Sequence, residues 1–220
     1  MNTIDDILYR DIIPTLTDLA NDQSAFHEAF KKYSIKNVLE LGVYWAPGMD
    51  EVLYGQSTKI LLALCKEYNA SRMVSVDIDP NASKTIARCK RWLVERDYPL
   101  FQNHEFIVSN SIMLDVGKLF PAGADLIFLD TNHDDNYPER IGLGTNTGGA
   151  GMTYRELCHY APFLSEQGSL FIHDTKNYYV PRAYGMNTEG AVQRFLDENP
   201  NFTFKEHGLN RHGLGELRHK

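Results

Sequence analysis

The chain has 220 residues, of which 43% are hydrophobic and 23% are charged, and its formal net charge at pH 7 is −7. This length predicts a single domain, residues 1–220, with a core large enough to stand alone. The acidic balance, without a Lys/Arg-rich run, argues against a nucleic-acid or membrane-surface partner, and no apolar run is long enough to span a bilayer.

Cysteine usage and the N-terminus bear on the cellular compartment. Cys65, Cys89 and Cys158 are far apart in the sequence and lie in mostly apolar, helix-like contexts. This pattern is typical of reduced core residues rather than of disulfides or metal ligands. Residues 1–6 lack the basic and apolar regions of a signal peptide. We therefore expect a cytoplasmic protein.

The N-terminal part of the chain is predicted to be helical. Residues 3–33 carry apolar side chains at helical intervals, interrupted by Pro14, and a second helical segment is predicted over 24–33. These helices would cover one side of a cleft or pack against a sheet edge. We divide the chain into a helical cap, residues 1–35, and a core, residues 36–220.

The first predicted strand, residues 37–43, is short and apolar, as a strand buried on both faces should be. Glu40 interrupts it with a carboxylate, which needs a polar partner when buried. Gly42 follows, and glycine allows a sharp turn and the close approach of a ligand. The loop over 44–54 is too long for an ordinary strand-to-helix turn.

A helix is predicted to open at Gln56. Ser57 or Thr58 would cap its first turn, and its backbone N–H groups suit an anion or a carboxylate. The second strand, residues 73–77, ends at Asp77. In nucleoside sites of this architecture, an acid at that position accepts the ribose hydroxyl groups.

The third strand, residues 105–108, follows a helix predicted over 81–96. Asn110 and Ser111 come next, and their short polar side chains could reach the exocyclic amine and ring nitrogen of an adenine. They could equally form the N-cap of a helix predicted over 112–119.

The fourth strand, residues 124–130, ends at Asp130 and leads into a long glycine-rich loop, residues 131–151. A loop of this length inside a compact domain is usually functional or disordered. His133 lies at its start and is either a general base or a loop histidine bonded to nearby acids. A helix is predicted over 153–164.

The fifth strand, residues 168–175, ends in the pair His173-Asp174. Successive strand residues point to opposite faces, so His173 either reaches the strand end as a ligand or base, or fills the core. A last helix is predicted over 188–198.

The alternation of strands and helices predicts an α/β fold: a Rossmann-like, doubly wound, mostly parallel sheet with helices on both faces. Residues 202–206 and 214–218 alternate in polarity and predict a C-terminal antiparallel hairpin, which we expect to add one antiparallel strand to the sheet.

Four predicted strands end in acids: Glu40, Asp77, Asp130 and Asp174. The carboxyl ends of parallel strands share one edge, and neighbouring strands are about 4.8 Å apart, so these groups should converge on one crevice. Carboxylates that close repel one another unless a cation or hydroxyl donors lie between them. The pattern predicts a ligand site at this edge.

The order of these motifs resembles the class I methyltransferases that use S-adenosylmethionine. Residues 38–43 with 55–58 are similar to the family's first motif, and residues 76–80 to its second. Residues 128–133 and 171–175 are similar to a subgroup that includes sugar and natural-product O-methyltransferases and cephalosporin-hydroxylase-like proteins. Two departures are the loop that interrupts the first motif and Asn110, where many relatives carry an acid.

The resemblance implies S-adenosylmethionine as the cofactor. It implies that Glu40 and Gly42 face the methionine and ribose portion, that Asp77 binds the ribose hydroxyls, and that Asn110 and Ser111 lie near the adenine. With the helix N-terminus and the residue beside the expected methyl group, the full set of predicted cofactor-binding residues is Glu40, Gly42, Ser57, Thr58, Asp77, Asn110, Ser111 and Asp130.

The same resemblance implies a divalent cation, Mg²⁺ or Mn²⁺, held by Asp130 and Asp174, which would lower the pKa of an acceptor hydroxyl. A coordinating His173 would favour manganese. The predicted catalytic residues are Asp130, His133, His173 and Asp174.

The leading prediction is metal-assisted methylation of a small hydroxylated acceptor, a sugar or natural-product intermediate. The alternatives are a metal-independent N- or O-methyltransferase with a His/Asp base, a nicotinamide-dependent oxidoreductase, and a non-catalytic binding protein. The first turn lacks Gly-x-Gly-x-x-Gly, which argues against the oxidoreductase. Whether the chain forms a homo-oligomer is left open.

Overall fold

The computed structural model describes residues 3–6, 19–43, 56–131, 148–173, 175, 188–207 and 213–220. Some predictions fall outside these ranges: the helical turns over 7–18, the loops over 44–54 and 132–147, and the site residues His133 and Asp174.

Strands and helices alternate along the described chain. They are α1 (Leu19–Lys32), β1 (Asn37–Leu41), α2 (Gln56–Glu67), β2 (Arg72–Asp77), α3 (Ala82–Val94), β3 (His104–Val108), α4 (Val116–Leu119), β4 (Ala124–Leu129), α5 (Gly148–Tyr160), β5 (Leu164–His173), α6 (Thr188–Glu198), β6 (Phe202–His207) and β7 (Leu214–His219).

In the described part of the chain, seven strands form one sheet in the order β3-β2-β1-β4-β5-β7-β6. The strands β1 to β5 pair in parallel, and β7 lies antiparallel between β5 and β6. The predicted α/β class, the mostly parallel sheet and the antiparallel hairpin are therefore confirmed. The hairpin adds two strands to the sheet rather than one.

Helices cover both faces of the sheet, because its central strands are apolar on both sides. On one face, Phe26, Leu64 and Leu93 bring α1, α2 and α3 into a buried cluster. On the other face, residues such as Leu157 and Phe195 bring α5 and α6, together with α4, into a second cluster. Among the described residues, no helix has the length and apolar character needed to cross a membrane.

The prediction of one helix over residues 112–119 is wrong. A 3₁₀ turn at Ser111–Met113 is separated from α4 by Leu114, which is extended (φ −73°, ψ 128°). Asp115 then begins α4 by accepting a hydrogen bond from the backbone N–H of Lys118 (3.2 Å). The break lets Leu114 and Val116 both enter the second cluster, whereas residues two apart would lie on different sides of a continuous helix.

The helix predicted over residues 153–164 is also placed differently. Helix α5 begins at Gly148, inside the glycine-rich stretch, and ends at Tyr160. A 3₁₀ turn containing Pro162 follows, and a proline lacks the N–H that would continue the helix. Strand β5 accordingly begins at Leu164 and not at Gly168.

Candidate functional site

The strand order reverses between β1 and β4. From β1 the chain continues to β2 on one side, and from β4 it continues to β5 on the other. In open α/β sheets, a ligand crevice lies outside the carboxyl ends of the two strands at such a point. The residues that directly follow them, Gly42 and Asp130, are therefore at the centre of the candidate site.

Gly42 and Asp130 form a tight backbone crossing. The N–H of Gly42 donates to the carbonyl of Val76 (2.9 Å), and the N–H of Asp130 donates to the carbonyl of Leu41 (2.8 Å). Gly42 has φ +83°, where residues with a Cβ are strained, and a Cβ there would lie 2.0 Å from the carbonyl oxygen of Asp130. The crossing therefore requires glycine.

Glu40 is fully buried (0% exposed) beneath this crossing. Its carboxylate accepts hydrogen bonds from Ser57 Oγ (3.2 Å), Thr58 Oγ1 (2.8 Å) and Ser75 Oγ (2.6 Å). Burial raises the pKa of Glu40 to about 7, the three hydroxyl groups oppose this shift, and the charge of Asp130 adds to it. Glu40 therefore ties the first turn of α2 to β1 and β2.

The sequence predicts that Ser57 or Thr58 caps α2. In the structure, both hydroxyl groups donate to Glu40. Both residues are buried. Contact of Glu40, Ser57 or Thr58 with a cofactor remains a prediction. What the structure adds is that these predicted site residues form one cluster, joined by Ser75, under the crevice.

Asp77 lies at the end of β2 with its carboxylate held by backbone N–H groups. Its Oδ2 accepts from Val43 (2.8 Å) and its Oδ1 accepts from Asp79 (2.8 Å). Burial raises the pKa of Asp77, and these N–H groups oppose the shift. Each carboxylate oxygen has two lone pairs, so both can accept a further hydrogen bond. This arrangement fits a pair of neighbouring ribose hydroxyls.

Asn110 and Ser111 follow β3, as predicted, but their side chains have protein partners. Asn110 Oδ1 accepts from the N–H of Ile112 (3.2 Å), which makes Asn110 the N-cap of the 3₁₀ turn. Ser111 Oγ donates to Glu156 Oε1 (2.6 Å). Of the two roles left open for this segment, the cap is observed for Asn110, and contact with adenine remains a prediction for both residues.

Glu156, in α5, is a polar residue of this region that the sequence analysis did not identify. It is fully buried, and it also accepts a hydrogen bond from Thr131 Oγ1 (2.8 Å). Burial raises the pKa of Glu156 to about 7, and the Ser111 and Thr131 hydroxyls oppose this shift. In the sequence, Glu156 lies four residues before Tyr160, and this spacing places it on the inward face of the predicted helix.

Asp130 and His173 come together at the ends of the neighbouring strands β4 and β5. His173 Nδ1 lies 3.1 Å from Asp130 Oδ1, and the two side chains are 20% and 22% exposed. The imidazole packs edge-to-face on Phe128, with ring centroids 6.3 Å apart. The ring of His173 therefore packs on the core while its Nδ1 faces the carboxylate at the rim, and its role as a ligand or base remains a prediction.

The predicted metal site is only partly within the described residues. Asp130 and His173 are adjacent, whereas the third predicted ligand, Asp174, lies outside the described ranges, as does His133. Within the described part of the chain, no group of three His, Cys, Asp or Glu side chains is arranged to hold a metal ion. The described residues alone therefore do not make up the predicted metal site.

The chain is similar to known methyltransferases. The family model described as a methyltransferase domain matches residues 52–175, more than half of the chain. No curated protein matches the sequence significantly.

Solved structures with the same fold have low sequence identity. A candidate caffeoyl-CoA O-methyltransferase from Staphylococcus aureus has a TM-score of 0.56 at 14% identity, covering 90% of this chain and 83% of its own. A candidate methyltransferase from Streptococcus mutans in complex with SAH has a TM-score of 0.53 at 15% identity, covering 90% and 97%. An rRNA methylase from Streptococcus thermophilus has a TM-score of 0.51 at 13% identity, covering 89% and 94%.

At these identities the solved structures support the fold alone, and the family match carries the assignment. The mixed seven-stranded sheet, mostly parallel with an antiparallel hairpin, is consistent with that family's fold. The chain therefore belongs to the methyltransferase domain family and is a class I S-adenosylmethionine-dependent methyltransferase.

Proposed function

We propose that this methyltransferase acts on an oxygen atom of a small hydroxylated acceptor, such as a sugar or a natural-product intermediate. The observation that carries the proposal is the Asp130–His173 pair, 3.1 Å apart at the strand reversal. A hydroxyl group needs to lose its proton as it is methylated, and a histidine beside a carboxylate is a suitable acceptor for that proton.

The donor would be held at the carboxyl ends of β1, β2 and β3. Asp77 would accept the ribose hydroxyls, because the N–H groups of Val43 and Asp79 fix its carboxylate and leave lone pairs on both oxygens. Gly42 would let β1 and β4 end side by side next to the donor, because only glycine permits the close crossing with the backbone of Asp130. Bound S-adenosylmethionine supplies a methyl group on a sulfonium, which is already a strong donor.

The chain's own contribution to chemistry would be positioning and proton transfer. Since Nδ1 of His173 faces Asp130, Nε2 is the atom that would take the proton of the acceptor hydroxyl. The carboxylate of Asp130 would then stabilise the imidazolium that forms. Alignment of the hydroxyl oxygen with the methyl group would supply much of the remaining acceleration.

A metal-assisted version uses the same residues differently. Asp130 and Asp174, with His173, would hold a divalent cation, and the cation would lower the pKa of the acceptor hydroxyl. This version depends on Asp174, which lies outside the described residues. We therefore propose that His173, paired with Asp130, acts as the base. The experiments below test whether a cation is required.

The acceptor class rests on charge. A net charge of −7 is unfavourable for binding a polyanion, because nucleic-acid affinity comes largely from basic side chains that neutralise phosphates. The rRNA methylase with the same fold makes RNA the acceptor to compare against. A small neutral hydroxyl compound fits the acidic rim better.

The first experiment is calorimetry with S-adenosylhomocysteine. The wild-type chain should bind it, and Asp77→Asn should weaken binding about tenfold or more, since hydrogen bonds to a charged group are strong. Asp197→Asn, which changes an exposed carboxylate of α6, is the matched control and should leave binding unchanged. Absence of wild-type binding at millimolar ligand, with and without Mg²⁺ or Mn²⁺, would contradict the proposal.

The second experiment is a donor-consumption assay with three acceptor arms: a panel of sugars and hydroxylated natural products, the corresponding amines, and RNA. Turnover in the first arm is expected. Turnover only with RNA or only with amines contradicts the acceptor assignment. Loss of turnover on chelation, restored by Mn²⁺ or Mg²⁺, favours the metal-assisted version over the His173 base.

A further inference from the structure

The buried carboxylate of Glu156 connects two segments that belong to different ends of the candidate donor site. Its Oε1 accepts from Ser111, which follows β3, and its Oε2 accepts from Thr131, which follows Asp130. In the sheet order β3-β2-β1-β4, two strands lie between these positions, so β3 and β4 are roughly 14 Å apart. Because both hydroxyl groups reach the same carboxylate, the segment after β3 must approach the end of β4 much more closely than the strands themselves do.

Helix α5 holds the segment after β3 at several points. Besides Glu156, His159 Nε2 donates to the carbonyl of Leu114 (2.9 Å), and the Tyr160 hydroxyl donates to the carbonyl of Ser111. Tyr160 is fully buried and packs in the second core cluster. The 3₁₀ turn after β3 is thus fixed to α5, and only Glu156 among these three side chains also bonds to the β4 end.

Burial makes the hydrogen bonds of Glu156 difficult to replace with water. Glu156 is 0% exposed, and Ser111 is 8% exposed, so water does not readily replace a lost partner. A buried carboxylate that loses one of two hydroxyl donors pays the desolvation penalty of that oxygen unless the chain moves. Movement would change the separation of the two ends of the crevice.

We propose that Glu156 is a positioning residue for methyl transfer: by holding Ser111 and Thr131 on one carboxylate, it fixes the adenosine end of the donor site relative to the transfer end beside Asp130. This inference rests on the proposed function. It assigns no contact between Glu156 and the donor or the acceptor.

The two hydroxyl groups allow each half of the connection to be removed separately. Ser111→Ala should weaken S-adenosylhomocysteine binding about fivefold, with the donor KM raised and kcat nearly unchanged. Thr131→Val should raise the KM by a similar factor and also lower kcat about tenfold, because Thr131 adjoins Asp130. Thr131→Ser keeps the hydroxyl and should restore both values.

A matched control is available in β5. Ser169 Oγ donates to the buried Glu216 Oε1 at 2.6 Å, the same kind of bond and length as in the Ser111–Glu156 pair. Ser169→Ala should lower the melting temperature as much as Ser111→Ala does, with S-adenosylhomocysteine affinity within about twofold of wild type.

Glu156→Gln is the third variant. If it does not fold, the test rests on Ser111→Ala and Thr131→Val.

The outcomes separate this inference from the proposed function. If the wild-type chain does not bind S-adenosylhomocysteine, both fail. If it binds and methylates, but Ser111→Ala and Thr131→Val change only thermal stability, as Ser169→Ala does, the positioning role is overturned and the proposed function stands.

Discussion

A Cβ on Gly42 would lie 2.0 Å from the carbonyl oxygen of Asp130. These two residues follow β1 and β4, the neighbouring strands between which the order of the sheet reverses. The backbone crossing here joins the proposed donor-binding side of the site to the proposed Asp130–His173 pair. A substitution that separates the segments after β1 and β4 should therefore affect both donor binding and turnover.

Gly42→Ala should destabilise the fold and weaken donor binding together. The positive φ costs an alanine about 1 kcal/mol, and the clash with Asp130 requires the backbone to shift, so we expect a loss of about 2–4 kcal/mol in the free energy of unfolding. Urea unfolding measures the first effect, and calorimetry with S-adenosylhomocysteine measures the second.

Gly117→Ala is the control for this glycine. Gly117 lies in α4, and a Cβ there would lie 3.3 Å from the edge of the Phe163 ring and 3.7 Å from Asp115 Oδ1, with no backbone in the way. Alanine is favoured over glycine in a helix by about 1 kcal/mol, which offsets the close contact. If Gly42→Ala leaves both the free energy of unfolding and donor binding unchanged, the backbone crossing is not required for either, and the prediction is wrong.

Removal of either member of the His173–Asp130 pair should affect turnover far more than binding. Asp130→Asn and His173→Gln should each lower kcat about 10²–10⁴-fold, because positioned proton acceptors contribute that much. The double variant should be little worse than either single variant, since the two side chains act as a unit. Single-turnover kinetics with saturating donor measures these values.

Donor affinity provides the internal control for this pair. Because Asp130→Asn preserves the backbone that crosses Gly42, S-adenosylhomocysteine binding should stay within about threefold of wild type. Normal turnover in both single variants would contradict both versions of the proposed chemistry. Restoration of Asp130→Asn activity by high Mn²⁺ would favour the metal-assisted version.

The fold was predictable because its signals are local. The short apolar run of β2 ends at Asp77, those of β1 and β4 are directly followed by Gly42 and Asp130, and the chain between them has helical spacing. Parallel pairing then places Asp77 and Asp130 at one edge whatever the order of the strands. The break at Leu114 was not predictable, since the side chains that bond to Leu114 and Ser111, His159 and Tyr160, come from α5, which is distant in sequence.

The polar network beneath the site could be predicted only in part. Glu40 was identifiable as a buried acid in need of partners, but nothing local indicates that Ser75, on another strand, is one of them. Glu156 was missed because Ser111 and Thr131 are distant from it in sequence. Such contacts depend on the three-dimensional arrangement of elements, which spacing alone does not give.

Two buried glutamates should make stability depend on pH. The pKa of Glu40 and the pKa of Glu156 are each raised from 4.5 to about 7, so between these values the folded chain binds more protons than the unfolded chain. Stability from these groups is therefore full below about pH 4.5, falls as pH rises to about 7, and is then constant. Each group should account for about 3 kcal/mol.

Urea unfolding of Glu40→Gln and Glu156→Gln at pH values from 5 to 8 tests this. The difference between each variant and wild type should shift in favour of glutamine as the pH rises. Thr85→Val is the uncharged control: Thr85 is buried, and its hydroxyl has no hydrogen-bond partner in the described structure. It should displace the whole pH curve without changing its slope, and glutamine variants that do the same would contradict the prediction.

Ser75 is the residue through which the Glu40 cluster reaches β3. Its hydroxyl donates to Glu40 Oε2 (2.6 Å) and lies 3.0 Å from His104 Nε2, and burial together with the charge of Lys90 lowers the pKa of His104 to about 4. The imidazole is therefore neutral near pH 7, and its Nε2–H donates to the serine oxygen.

Ser75→Ala should lower the free energy of unfolding by about 1–3 kcal/mol, because it removes the hydrogen bond to Glu40 Oε2 and the acceptor of His104 at once. The loss should be larger at pH 8, where Glu40 is ionised, than at pH 5. Ser165→Ala removes a hydroxyl that donates to the half-buried Asp125 at 2.7 Å, where water can replace it, and should lose less than about 1 kcal/mol. Equal losses in the two variants, or a larger loss at pH 5 for Ser75→Ala, would show that the Glu40 cluster does not depend on this serine.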